Sequence, residues 1–191
     1  MSHSNRSSHS KGPLCIIALL AVTVILLNLG IGVAAEEWQR MQSGTTMRLW
    51  SVWGCSPSDV FVVGENGTIL HYDGSAWSPM HSGTTKTLNG VWGTSSSDVY
   101  AVGATNGRVI LHFDGSSWQE MASPPTSFGY WNVWGSSSSD IFAVGSGGTI
   151  VHYDGTTWSE MSTPSQVAQK AVWGSSSSDV FSVGPMGYVW H

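Results

Sequence analysis

Four histidines and seven aspartates recur at regular places along this chain, and both residue types could do chemistry. The histidines are His71, His112, His152 and His191. Four aspartates precede them, at Asp59, Asp98, Asp140 and Asp179, and three follow them, at Asp73, Asp114 and Asp154. Imidazole and carboxylate groups are ligands of zinc and act as general acids and bases in hydrolases. Whether they meet in one site depends on the fold that carries them.

The histidines belong to a unit of about 40 residues that occurs four times. Its Val-Trp-Gly triplet places tryptophan at Trp53, Trp92, Trp134 and Trp173, at intervals of 39, 42 and 39 residues. A Ser-rich loop, an aspartate, an apolar run ending in glycine and a second apolar run ending in histidine follow each triplet. Three units continue with Asp-Gly and a second tryptophan, at Trp77, Trp118 and Trp158. A period near 40 without a helical pattern predicts a radial β-array.

Each unit predicts four short strands, here called a to d. In the first unit they cover residues 49–53, 60–63, 68–72 and 77–80. The Asp73-Gly74 pair between strands c and d indicates a hairpin, because glycine readily adopts a positive φ. The runs are rich in Val, Ile, Phe, Tyr and Trp, so the fold class is all-β. Trp92 and Trp134 are predicted core residues, because their position is tryptophan in all four units.

The fourth unit reaches His191 without a strand d, but a matching segment precedes the first unit. Trp38-Gln-Arg-Met41 and the Ser-Gly-Thr-Thr that follows resemble Trp77-Ser-Pro-Met80 and its own Ser-Gly-Thr-Thr. We therefore expect residues 38–41 to pair with residues 187–191. This pairing would close the four sheets into a ring and remove the exposed sheet edges.

The repeated string W-G-x-S-x-S-D-V-F-x-V-G-x-x-G-T-I-x-H-Y-D-G-x-x-W resembles the BNR-type, Asp-box-related propeller repeats. These include repeats similar to the photosystem II assembly and stability factor, and they are widespread in exported bacterial proteins. The resemblance covers residues 38–191 and implies a β-propeller with strand a at the axis and strand d at the rim. Four blades closed by the amino-terminal strand are expected, with a fragment of a larger propeller as the alternative. Asp73 and Trp77 are four residues apart instead of five, so no sialidase-type site residue is carried over.

In such a propeller the histidines lie on strand c of four different blades, two strands from the axis. Strands are about 4.8 Å apart, so the four imidazoles diverge beyond the reach of one zinc ion, whose bonds to nitrogen are about 2 Å long. We expect each histidine to bond to the strand b aspartate of its own unit. The Asp-Gly turns offer too few oxygen ligands for calcium. No metal and no other cofactor is predicted.

Catalysis is not predicted either. An aspartate that recurs in every unit is explained by a turn or a hydrogen bond in every unit. The five glutamates are scattered, so no pair is placed to flank a glycosidic bond. The serine runs, such as residues 136–139, contain no G-x-S-x-G nucleophile elbow. A degenerate, sialidase-like glycan hydrolase is the alternative to a binding module.

Residues 1–35 differ from the repeat domain, residues 36–191. Arg6 and Lys11 precede an apolar stretch, residues 14–35, that ends in Val-Ala-Ala, as in a secretory signal peptide. With 22 residues the stretch could also span a bilayer as an uncleaved anchor. Either way the repeats are expected outside the cytoplasm, secreted, periplasmic or at the cell surface, with membrane contact only through this segment. Twelve acidic and five basic residues follow residue 35, and this net charge of −7 argues against nucleic acid as a partner.

The links between strands divide between two ends of the array, because successive strands run in opposite directions. The a–b and c–d links emerge at one end and are nearly identical in every unit. The b–c and d–a links emerge at the other end and vary, the longest covering residues 81–88, 122–129 and 162–169. Loops on a rigid scaffold carry recognition. The varied end is therefore the predicted binding end.

A candidate ligand site lies three residues before each Val-Trp-Gly tryptophan. This position holds Trp50, Asn89, Trp131 and Lys170, and Phe128 and Tyr130 extend the site. In a four-bladed ring Trp50 and Trp131 would face each other and could clamp a sugar or a peptide side chain. The alternative is that both tryptophans pack between blades.

The sequence thus predicts an exported, non-catalytic module that binds or scaffolds a protein or a carbohydrate. A homo-oligomer, such as an eight-bladed pair, is compatible with the same repeats.

Overall fold

The computed structural model describes residues 37–191, with the exception of residue 125. The chain divides into two units, residues 1–40 and residues 41–191. Residues 37–40 of the first unit form no helix or strand. The predicted signal peptide or anchor, residues 1–35, lies outside the described residues. Within the described part of the chain, no helix is long and apolar enough to cross a bilayer.

The described strands of the second unit form four antiparallel sheets, one for each sequence repeat. The first sheet contains β1 (Leu49–Ser56), β2 (Asp59–Gly64), β3 (Ile69–Tyr72) and β4 (Trp77–Met80). The second contains β5 (Gly90–Ser95), β6 (Asp98–Gly103), β7 (Val109–Phe113) and β8 (Trp118–Glu120). The third contains β9 (Tyr130–Ser137), β10 (Asp140–Gly145), β11 (Ile150–Tyr153) and β12 (Trp158–Glu160). The fourth contains β13 (Ala171–Ser176), β14 (Asp179–Val183) and β15 (Val189–Trp190).

Each strand pairs with the next strand of its sheet along the chain. Short 3-10 turns at Glu65–Gly67, Ser146–Gly148 and Pro185–Gly187 lead into the third strands. The four strands predicted for the first repeat are confirmed. The first strands β1, β5, β9 and β13 pack against one another in that order. The sheets are therefore blades that stack side by side through their inner strands, which is the arrangement of a β-propeller.

The apolar core lies between neighbouring blades. Phe61 and Val63 of the first blade pack with Val91, Val99 and Trp118 of the second. A second cluster joins the second and third blades in the same way. A blade covered on both faces needs apolar residues on both sides of its strands. This explains why the second strands read as continuous apolar runs.

The tryptophan of one triplet contacts the glycine of the next triplet at the three junctions between blades. The Trp92 ring lies against Gly135 of the next blade, where an added Cβ would be only 2.6 Å from the ring carbon Cη2. Trp134 lies against Gly174 in the same way, at 2.5 Å. Glycine is required because any side chain would push the inner strands apart. Trp92 and Trp134 are thus packed between blades.

The closing strand predicted at residues 38–41 is not formed. These residues have no regular secondary structure, Trp38 is fully exposed, and the described fourth sheet has three strands. The inner strands β1 and β13 do not pack against each other as successive inner strands do. The predicted four-bladed ring is therefore not closed in the described part of the chain.

Removal of the Trp92 ring should loosen the second junction. We expect Trp92→Ala to lower the free energy of unfolding by about 3–5 kcal/mol, as for other packed aromatic residues. Gly135→Ala should also destabilise, because its Cβ would meet the ring. The double variant should lose less than the sum of the two, because the clash with the ring disappears and only the one with the Asp140 backbone oxygen remains. Urea unfolding followed by circular dichroism measures all three values.

The control pairs residues from different junctions, Trp92→Ala with Gly174→Ala. Their losses should add, because the two sites share no contact. Strict additivity for Trp92 and Gly135 as well would contradict a direct contact between them.

Candidate functional site

Each repeated histidine bonds to the aspartate at the start of the second strand in its own blade. The distances from Nε2 to Oδ1 are 2.6 Å for His71 and Asp59, 2.8 Å for His112 and Asp98, 2.7 Å for His152 and Asp140, and 3.1 Å for His191 and Asp179. Each ring also packs on an aromatic ring of the second strand, with centroids about 4.5 Å apart. The predicted pairing is confirmed. Among residues 37–191 without residue 125, no group of three potential ligands is placed to hold a metal ion.

The second oxygen of each of these aspartates accepts a bond from the residue four positions earlier. In the first blade the Cys55 thiol donates at 2.9 Å, and in the third the Ser136 hydroxyl donates at 2.5 Å. Thr94 and Ser175 take this place in the other two. The order is hydroxyl, carboxylate, imidazole, whereas in a nucleophile triad the imidazole lies beside the hydroxyl and activates it. The arrangement ties two strands and a loop together, and its imidazole lies beside the carboxylate and not beside the hydroxyl.

The c–d turns are closed by an aspartate that accepts several bonds at once. Asp73 Oδ1 accepts from the Ser75 hydroxyl at 2.7 Å and from the backbone N–H groups of Ser75 and Ala76 at 2.8 and 2.9 Å. These bonds, the hydroxyl above all, lower the pKa of the Asp73 carboxyl to about 2. Asp114 and Asp154 have the same surroundings, and their pKa is also lowered to about 2. The repeated aspartates thus act within their own turns.

The predicted separation of the links into two ends is confirmed. At the varied end, the b–c and d–a links bond to each other, as from Gly67 N–H to Lys86 O at 2.9 Å and from Ser146 N–H to Gly129 O at 3.2 Å. At the uniform end, the c–d turn packs on the a–b loop, where a Cβ on Gly74 would lie 2.6 Å from Ser58.

Two of the candidate residues sit on irregularities of the inner strands. Leu49 pairs with Gly64 and Ser51 with Val63, so Trp50 is an extra residue between them. Trp131 is extra in the same way, between Tyr130 and Asn132. A β-bulge of this kind re-aims the side chain of the inserted residue. The bulge therefore turns both tryptophans away from the regular alternation of their strands.

Around Trp131 the structure assembles a continuous surface from three segments. The Trp131 Nε1–H group donates to the Ser146 hydroxyl at 2.8 Å. The Lys170 ammonium lies 3.7 Å from the centroid of the Trp131 ring, a cation–π contact. Phe128 packs over Gly147, which has a φ of +62° and whose Cβ would lie 2.2 Å from the Phe128 ring. We call Phe128, Trp131, Ser146, Gly147 and Lys170 the aromatic platform.

The other candidate residues lie elsewhere. Asn89 is engaged within its own blade, where its Oδ1 accepts from the Ala104 N–H at 2.9 Å. Tyr130 is completely buried between blades, and burial raises its pKa. It is thus a core residue and is removed from the candidate site. Trp50 is about half exposed, but the four blades do not form the ring that a clamp between Trp50 and Trp131 requires.

The sequence placed Trp131 and Lys170 in one candidate site, but it did not reveal their direct contact, because the two residues belong to different blades. One feature of the sequence nevertheless pointed to this surface. The turn that carries Gly147 has Asn66, Asn106 and Met186 at the same position in the other units, and all four adopt a positive φ. Glycine at this position makes room for Phe128.

Antiparallel blades stacked through their inner strands, with varied links at one end, define this chain as a β-propeller. No protein-family model and no curated protein sequence matches it.

Some solved structures do match. YCF48 bound to a D1 peptide has 18% identity and a TM-score of 0.66, over 83% of this chain and 55% of that one. YCF48 from Cyanidioschyzon merolae has 16% identity and a TM-score of 0.61, over 77% and 54%. The WD40 β-propeller domain of Doa1 has 12% identity and a TM-score of 0.45, over 75% and 64%. The chain thus spans about half the length of the YCF48 chains, and the likeness concerns the fold.

The three turn aspartates make the stability depend on pH in the acidic range. Their pKa is about 2 in the folded chain and 3.8 as the ordinary value. Their contribution is therefore present above about pH 4 and is lost as the pH falls through about 2. The thermal midpoint should fall over this window. The triple variant Asp73→Asn, Asp114→Asn, Asp154→Asn should show a shallower fall of the thermal midpoint with decreasing pH.

Glu160→Gln is the control, since it removes an exposed carboxyl outside these turns. It should keep the slope of the unmodified chain. Parallel curves for the triple variant and the unmodified chain would contradict this role of the turns.

Proposed function

We propose that the repeat domain is an exported, non-catalytic module that binds a protein segment at the aromatic platform. The observation that carries this proposal is the surface formed by exposed Phe128, partly exposed Trp131 and exposed Lys170, built from three segments at the varied end of the propeller. A binding site needs such a surface on a rigid support. The bulge at Trp131, its bond to Ser146 and the close packing of Phe128 on Gly147 provide this rigidity.

The charge of the platform favours a ligand with a carboxylate. Within the described residues, Arg48 and Lys86 are paired with Glu65 and Glu120, but no carboxylate lies within 4.0 Å of the Lys170 ammonium. Lys170 is exposed, and the repeats as a whole carry negative charge. A peptide that presents a carboxylate beside an apolar side chain would satisfy both Lys170 and the aromatic rings.

A protein ligand is favoured over a carbohydrate by the same contact. Sugars stack on an open aromatic face, but Lys170 covers one face of the Trp131 ring at 3.7 Å. One of the similar structures, YCF48, is bound to a peptide. This supports a protein segment as the ligand class for a propeller of this kind.

The non-catalytic character is supported by the repeated polar groups. The aspartates lie between the hydroxyls and the histidines, so no hydroxyl or thiol has an imidazole beside it in the four repeated sets. The turn aspartates are occupied by their own backbone. Both groups have a structural role, the histidine–aspartate sets in all four blades and the turn aspartates in the first three.

Binding is tested with a random peptide library displayed on phage and selected on the full chain. Selected peptides should combine Asp, Glu or a free carboxyl terminus with an apolar residue. Trp131→Ala and Lys170→Met should each weaken the best peptide about tenfold or more, as for central interface residues. The Lys170→Met variant should keep the thermal midpoint of the unmodified chain, because Lys170 is exposed. Trp131 is partly buried and bonded to Ser146, so Lys170→Met is the variant that separates binding from stability.

Lys86→Met is the matched control, since Lys86 lies at the same end but is held by Glu120. It should bind the peptide normally. If no peptide is selected and a glycan array shows binding that depends on Trp131, the ligand is a carbohydrate. Turnover of a bound glycan would support the hydrolase instead.

Export rests on Arg6, Lys11 and the apolar stretch at residues 14–35. We expect an export-competent bacterial host to deliver the repeats outside the cytoplasm, with a new amino terminus at Glu36 if the segment is cleaved. Mass spectrometry of the chain from each cell fraction measures this. A full-length chain that stays in the cytoplasm would contradict export without affecting the binding proposal.

A further inference from the structure

The three junctions between blades share one set of contacts. The Val-Trp-Gly tryptophan of each blade lies against the triplet glycine of the next, as for Trp53 and Gly93, Trp92 and Gly135, and Trp134 and Gly174. The triplet valine of the next blade faces back into the same junction. Each blade thus offers a leading face, which receives the preceding blade, and a trailing face, which receives the following blade.

The trailing face of the fourth blade is uncovered. Trp173 is 60% exposed and Val183 is 42% exposed, whereas the residues that correspond to Val183 in the other blades are fully buried. Those residues are Val63, Val102 and Val144. Gly187 has nothing within 4 Å of its Cβ position, although the corresponding Gly67 and Gly148 lie against the link that enters the following blade.

The leading face of the first blade is uncovered in the complementary way. Val52 is 65% exposed, whereas the corresponding Val91, Val133 and Val172 are 6%, 4% and 8% exposed. Among the described residues, the atoms nearest the Cβ position of Gly54 belong to Asp59 and Val60 and not to a tryptophan. Every group missing from one face is thus a group that the other face presents.

A cavity of about 460 Å³ between the third and fourth blades marks one more missing contact. Its wall includes Phe142, Val144, Ile150, Val180, Ser182 and Trp190. By their place in the repeat these correspond to Tyr100, Val102, Ile110, Ile141, Ala143 and Val151, which pack around Trp158 at the preceding junction. The described fourth sheet has no outer strand to supply such a tryptophan.

The segment that fits this cavity is present in the chain. Trp38-Gln-Arg-Met41 repeats the pattern of Trp118-Gln-Glu-Met121 and Trp158-Ser-Glu-Met161. Trp38 is fully exposed. In the internal junctions, the outer strand of one blade runs directly into the inner strand of the next blade. A first blade docked on the trailing face would therefore deliver its own residues 38–41 to the cavity.

We propose that two copies of this chain join head to tail into a ring of eight blades. At each of two identical junctions, Trp173 of one copy packs on Gly54 of the other. Residues 38–41 of that other copy complete the fourth sheet and place Trp38 in the cavity. Eight blades lie within the range of known propellers, and three copies would give twelve. The closed ring would cover the leading face of the first blade and the trailing face of the fourth, and it would fill the apolar cavity.

Native mass spectrometry of the full chain, released from mild detergent, tests the assembly. The expected mass is that of two copies. Val52→Lys blocks the leading face and Val183→Lys blocks the trailing face, and each side chain is exposed enough in the single chain to accept lysine. Each variant alone should be a monomer. Mixed in equal amounts they should form a heterodimer, because one intact junction remains.

Ser138→Lys is the control, since this exposed residue lies in an a–b loop at the uniform end, and the variant should stay dimeric. Trp38→Ala should raise the dissociation constant of the dimer about tenfold or more, and combined with Val52→Lys it should leave the monomer's thermal midpoint unchanged. A monomeric full chain, an assembly larger than two copies, or a dimer that survives Val52→Lys would each overturn the proposal. The last outcome would assign dimerisation to the amino-terminal segment.

Discussion

The contact of a tryptophan ring with the glycine of the next blade determines much of this structure. It requires the inner strands to approach closely, and this approach buries the apolar faces of the second and third strands. With only 10% charged residues, the chain depends on this packing and on its turns. The repeated polar residues stabilise the same arrangement of strands. Histidine, aspartate and a hydroxyl or thiol hold each blade together at the uniform end, far from the variable links.

The aromatic platform follows from a departure from this regularity. The inner strand of the third blade accommodates one extra residue, so Trp131 leaves the strand alternation and meets Lys170 of the following blade. Phe128 reaches the same area because the neighbouring turn has glycine at residue 147. A repeat architecture thus obtains a unique surface from a bulge, a turn residue and a link, while its core stays the same in every unit.

The features that recur in every unit could be predicted from the sequence. The strands, the histidine–aspartate pairs and the two ends follow from residue types that occur in the same order four times. The predicted closure of four blades into a ring was wrong. Closure depends on the angle between neighbouring blades, and this angle results from many small packing contacts that no single residue type determines. The burial of Tyr130 could not be predicted, since the bulge beside it changes which side chains face inward. The contact between Trp131 and Lys170 joins residues 39 positions apart in different blades.

The equivalence of the junctions also affects how such a chain can change over evolutionary time. Stability in a repeat array is approximately a sum of unit and nearest-neighbour terms. Duplication of one unit therefore adds a blade together with a junction of the kind that already joins the four blades. Each new copy also brings one more position before its triplet, the position held here by tryptophan, asparagine or lysine. Gene duplication would thus enlarge the scaffold and supply a fresh residue for selection at the varied end.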